Sequence, residues 1–143
     1  MTGREYLRQA FTIHQKILAL ERHRHQIRAD MYGIRSPSDM NPDVVQSSIT
    51  GDKLEKYMAL IDEDERKIAD ELLKLHKKQD EIACMIEKVT NGRYYHVLYL
   101  RYVLCNTWKQ ISKNTGYAEH YLFKLHGKAL RAFDEVYDDY RIG

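Results

Sequence analysis

Cysteine is scarce in this chain: Cys84 and Cys105 are the only two in 143 residues. They cannot make the disulfide framework of a secreted domain and are not spaced as zinc ligands, which points to a reducing compartment. Both are expected to pack as small hydrophobes. Proline is equally rare, with Pro37 and Pro42 close together and none inside the periodic stretches described below. The N-terminus lacks an apolar signal core, and no uncharged apolar run is long enough to cross a bilayer, so neither secretion nor a membrane partner is expected and the cytoplasm is the default location. The catalytic signatures are missing too: no phosphate-cradling glycine loop, no Gly-x-Ser-x-Gly elbow, no His-Glu-x-x-His helix and no Gly-x-Gly-x-x-Gly turn. His23 and His25 do not share a helix face, and His120 and His126 are badly offset. The expectation is a protein that is not an enzyme, with no cofactor and no metal.

What is present is helical periodicity and an uneven distribution of charge. The net charge of +2 hides local sums of +4 over residues 1–35, −5 over 36–90, +6 over 91–133 and −3 over the last ten residues. A basic module therefore lies near the C-terminus, the kind of asymmetry that suits a polyanionic partner.

From Tyr6, the residues Ala10, Ile13, Ile17, Leu20, Arg24, Ile27, Met31 and Ile34 recur by alternating fours and threes, the seam of a long helix packed on another helix. A second series runs through Leu54, Met58, Ile61, Glu65, Ile68, Leu72, Leu75, Gln79, Ile82, Ile86 and Val89. Gly33, Pro37, Pro42, Gly51 and four serines fall between them, so residues 32–52 read as the loop of a helical hairpin spanning 1–90. The polar seam positions Arg24, Glu65 and Gln79 either fix register or snorkel at the rim, with the second reading favoured. The run Asp62 to Glu65 reads as a solvated face. A lone hairpin buries only one stripe per helix, so a homo-oligomer held through Ile13, Ile17, Leu20, Ile27, Ile61, Ile68, Leu72, Leu75 and Ile82 is expected.

Asn91-Gly92 ends the hairpin and opens a second module, 91–143, with an acidic C-terminal end. Its first helix is made amphipathic by Tyr94, Tyr95, Val97, Leu98, Arg101 and Tyr102 and closes at Cys105-Asn106. The tyrosines read as core and rim rather than as a stacking platform for single strands. Thr107 is placed to cap a helix from Trp108 to Asn114, Gly116 to turn the chain, and Ala118 or Glu119 to begin a final basic helix. A short helix, a tight glycine turn and a longer basic helix make a helix-turn-helix pattern. The fold class is therefore all-α, a long antiparallel coiled-coil hairpin followed by a helix-turn-helix.

Within the pattern, Trp108 and Ile111 supply the inner face of the supporting helix, and Leu122 and Leu125 that of the second. Glu119, His120, Phe123 and Lys124 are left outward in the first turns, where such a helix meets base edges in the major groove. Lys109, Lys113, Lys128 and Arg131 suit phosphates.

From Thr107 to Arg131, through Ile111, Gly116, Tyr117, Leu122, Leu125 and Lys128-Ala129-Leu130-Arg131, the sequence resembles region four of bacterial sigma factors. With Arg4-Glu5-Tyr6-Leu7 and Leu100-Arg101-Tyr102 added, the chain as a whole resembles small phage and prophage regulators of Gram-positive bacteria, sigma-like late-gene activators of the RinA and ArpU kind. The resemblance implies that Glu119, His120, Phe123 and Lys124 read double-stranded DNA and that host RNA polymerase is a further partner. Sigma factors usually carry a basic residue, an acid, a basic residue and glutamine at these four positions, so a target other than the ordinary upstream promoter element is implied. No counterpart of sigma region two is present, which argues against a self-sufficient sigma factor. The expected function is sequence-specific transcription regulation. A coiled-coil protein-interaction role, or a packaging subunit like a small terminase, is the alternative built from the same parts.

Overall fold

The computed structural model describes residues 1–33 and 51–142, and among these every regular element is helical. In chain order they are α1 (Gly3–Met31), α2 (Gly51–Ile86), α3 (Gly92–Leu98), a π-helical segment (Tyr99–Val103), α4 (Trp108–Thr115) and α5 (Glu119–Ile142). Most of the expected 32–52 loop, and Ile34 of the first seam, lie outside the described residues. No helix among those described is long and apolar enough to cross a membrane.

Helix ends follow local chemistry. Thr2 and Glu5 form a capping box at the start of α1, the Glu5 amide donating to Thr2 Oγ1 at 3.2 Å and the Thr2 amide to Glu5 Oε2 at 3.1 Å. Asn91 caps α3 by accepting from the amides of Arg93 and Tyr94. At the end of α2 the Lys88 and Val89 amides reach back three residues, to the carbonyls of Met85 and Ile86, which tightens the last turn and stops the helix short of Val89.

The chain forms two compact units, 15–73 and 1–14 with 74–143. In the first, α1 and α2 run in opposite directions. Lys16 pairs with Glu71 at 2.9 Å, His23 with Asp64 at 2.5 Å, and Arg28 with Glu65 at 3.1 Å. Ile27, Met31 and Ile61 form an apolar cluster backed by Tyr57, and Ile17 and Ile68 are buried as well.

The second series is shifted from its expected line. Asp64 and Glu71 are buried, at 3% and 6% exposure, while Glu65 and Leu72, each one residue further along, face outward. Ile61, Ile68, Leu75 and Ile82 keep the expected seven-residue spacing, but the inner position between them falls three residues after Ile61 and Ile68 rather than four, since i+3 and i+4 both lie on the same side of a helix. The two buried carboxylates are tolerated because each meets a base from α1, as an unpaired charge there would not be. Asp64 is therefore not part of a solvated face. The outward Glu65 lies 3.9 Å from Arg24, so two of the polar seam residues pair with one another at the rim. Of the other expected seam positions, Ile17, Ile27, Ile61, Ile68, Leu75 and Ile82 are buried, and Ile13 and Leu20 half-buried.

The second unit is wider than the 91–143 module, because the first turns of α1 and the last turns of α2 belong to it. Tyr6 packs on Phe133 and Tyr137 of α5, with ring centroids 6.2 and 5.2 Å apart. Gly3 lies against the same helix: a Cβ there would sit 3.2 Å from Phe133 Cδ1 and collide with the Asp134 carboxylate. Gln79, the third polar seam residue, donates to the Val103 carbonyl at 2.6 Å, meeting an acceptor at the end of the π-helical segment. Cys105 follows with a left-handed backbone, φ 57°, and is buried, which pushes its thiol up to about 11. Cys84, expected inside, is exposed.

Candidate nucleic-acid interface

α4 and α5 are joined by a short turn whose chemistry is local. Thr107 caps α4 with a complete capping box, its hydroxyl accepting from the Gln110 amide at 3.2 Å and its own amide donating to Gln110 Oε1 at 2.9 Å. Gly116 ends the helix in the left-handed region at φ 79°, where a side chain would be strained. The Ser112 hydroxyl, donating to the Tyr117 carbonyl at 2.6 Å, ties the turn back to α4.

Beneath the turn, Val97, Leu100, Ile111, Leu122 and Leu125 form one buried cluster drawn from α3, the π-helical segment, α4 and α5, with Tyr94, Trp108 and Tyr121 packed on its edge. Tyr102 is buried as well, and Tyr95 and Tyr99 stack at 5.9 Å as a half-buried pair.

With Leu122 and Leu125 inward, the helical repeat turns Glu119, His120, Phe123 and Lys124 to solvent, and all four are exposed. Phe123 is 51% exposed, yet its ring meets the Trp108 ring edge-on at 5.3 Å, which holds it in one place. Lys109 and Lys113 of α4 and Lys128 and Arg131 of α5 are also exposed. Among the described residues none of these five cations makes an ion pair, Lys124 included. The expected site residues thus share one module, apart from the hairpin seam residues other than Ile13, Leu75 and Ile82, which belong to the other compact unit.

Two further residues of this region lie outside the expected set of site residues. Arg101 stacks its guanidinium over Trp108 at 4.8 Å. His126 lies against the same indole at 4.7 Å, and its Nε2 shares a hydrogen bond of 2.6 Å with the Tyr102 hydroxyl. Burial, followed by the charges of Arg4 and Arg8 from α1 and of Arg101, pushes the His126 imidazole down to about 4. In the unfolded chain it titrates near 6.5. Between these values the unfolded state binds more protons, so the neutral imidazole favours folding above about pH 6.5, and this contribution is lost as pH falls toward 4. With solvent screening the loss is about 1–2 kcal/mol. Urea unfolding at pH 7 and pH 4.5 should show the protein losing that much more stability than a His126→Gln variant; equal losses would reject the assignment.

No known protein family, no curated protein and no solved structure matches this chain.

Proposed function

We propose that the chain is a sequence-specific DNA-binding transcription regulator, a phage or prophage late-gene activator acting with host RNA polymerase, built as an antiparallel helical hairpin followed by a helix-turn-helix. The observation that carries this reading is the division of α5 into two faces. Leu122 and Leu125 are buried against Ile111, while Glu119, His120, Phe123 and Lys124 stand exposed in the first turns, with Lys128 and Arg131 exposed further along. An exposed and basic second helix behind a glycine turn is the arrangement that lays side chains on base edges and cations on phosphates. The resemblance of Thr107 to Arg131 to sigma region four supports the same conclusion.

A gel shift against DNA upstream of the protein's own coding sequence and the adjacent late region, at several salt concentrations, tests it. Replacing Lys128 or Arg131 by alanine should weaken binding to all sequences alike and lower the salt slope by about one unit each. Lys124→Ala should instead cost about 1–3 kcal/mol on the preferred site and little elsewhere. Equal binding to every sequence would overturn the regulator reading.

The regulator works as a homo-oligomer, joined by α2. Leu54 and Leu72 are 43% and 38% exposed and stand five helical turns apart on one face, with Met58 beside them. Pairing two modules raises affinity through effective concentration without new contacts in either. Light scattering should give at least a dimer for the full chain and a monomer for the Leu54→Glu/Leu72→Glu double variant. A monomeric parent would reject the assembly.

A further inference from the structure

We propose that a cleft between the start of α1, the π-helical segment and the α4–α5 pair is a binding site for a phosphoryl group. The cleft, about 230 Å³ in volume, brings together Arg4 and Arg8 of α1 with Arg101, more than ninety residues away in the chain. No aspartate or glutamate lines it, and among the described residues none of the three arginines makes an ion pair. Arg4 and Arg8, four residues apart on one helix face, repel one another, and Arg101 adds to that repulsion. A fold bears such an arrangement at a cost that an anion would remove.

Arg101 is also held in a fixed position. Its Nη1 donates to the Asn106 carbonyl at 2.9 Å, and its guanidinium lies between the rings of Phe11 and Trp108, at 4.9 and 4.8 Å. A planar cation fixed by stacking keeps its remaining N–H groups in a fork that matches two phosphate oxygens, and little side-chain entropy is left to lose on binding. Arg4, whose side chain hydrogen-bonds with Tyr102 at the cleft wall, and Arg8 are both exposed and within the lining of the same cleft, placed to meet one anion. The other wall is aromatic, with Trp108 and Phe123 offering apolar surface for the sugar or base attached to a phosphate. Carboxylate ligands fit less well, because three guanidinium groups exceed the charge of one carboxylate and suit a group with three acceptor oxygens.

The phosphoryl group can come from a free nucleotide or from the backbone of a DNA strand, and the test separates these sources. Trp108 is the only tryptophan and lines the cleft, so its fluorescence reports occupancy directly. The full chain is titrated with inorganic phosphate, with a nucleoside 5′-monophosphate and with a short duplex lacking any preferred site. The double variant Arg4→Gln/Arg8→Gln is titrated in parallel, with Lys77→Gln as a control for bulk charge and circular dichroism to verify helicity. Saturable quenching by phosphate or the nucleotide, weakened about tenfold or more in the double variant and unchanged in Lys77→Gln, is the expected result for a free ligand. The same pattern with the duplex alone assigns the site to the DNA backbone. No saturable change with any of the three probes, or equal binding by the folded double variant, overturns the proposal. Because inorganic phosphate carries no sequence, failure of the regulator reading leaves this result standing, and the reverse also holds.

Discussion

Replacing Phe133 by alanine is expected to destabilise the unit containing α5 by about 3–5 kcal/mol, the largest effect of any single truncation considered. Phe133 is fully buried, and its ring stacks against Tyr6 at 6.2 Å and Tyr137 at 6.1 Å, both with an interplanar angle of 19°. The loss has two parts: the transfer free energy of the ring, and the cavity left where neighbours cannot collapse. Collapse is restricted here because Gly3 and Tyr6 sit on a helix capped and held at its start, and because Tyr6 also donates a hydrogen bond to Glu81 at 3.4 Å. Two aromatic contacts, each worth about 0.5–1.5 kcal/mol beyond the area they bury, are lost with the ring. Urea unfolding followed by Trp108 fluorescence reads this unit, and the midpoint should fall with the slope unchanged. A midpoint within error of the parent would mean that α1 and α5 do not pack as described.

The second large effect is expected at Ile111, where alanine should cost about 2–5 kcal/mol. Ile111 is fully buried at the centre of the cluster formed by Val97, Leu100, Leu122 and Leu125. Four different elements meet there, so closing the cavity would require several backbones to move together, which places the cost toward the upper end. Ile111→Val, which removes one methyl group, should cost about 0.5–1.5 kcal/mol, and Lys109→Ala on the exposed side of the same helix no more than about 0.5 kcal/mol. The graded series separates packing from helix propensity, because valine is the poorer helix former of the two replacements at position 111. If Val proved worse than Ala, propensity rather than burial would be controlling α4.

Local chemistry made the α4–α5 stretch readable. The Thr107–Gln110 capping box and the left-handed Gly116 are encoded within three or four residues of the bonds they form, and both lie where the sequence puts them. The outward set Glu119, His120, Phe123 and Lys124 followed from the position of Leu122 and Leu125, since one helical repeat relates them all. The sequence could not reveal the burial of Asp64 and Glu71 in place of Glu65 and Leu72, because Lys16 and His23, which make it possible, lie on the other helix. Nor did it announce the π-helical segment, whose end carbonyl at Val103 meets Gln79 from α2.

By itself the sequence determined that the described chain is helical, where α4 begins and ends, where α3 and α5 begin, and which faces of α4 and α5 are apolar. Those properties depend on bonds and periodicities a few residues long. Only the tertiary structure decided that residues 1–14 share a compact unit with α4 and α5, through Tyr6, Phe133 and Tyr137, and that Arg4 and Arg8 face Arg101 across one cleft. Contacts between residues about a hundred positions apart are chosen by which apolar faces remain to be covered once the helices exist, and no local period records that choice.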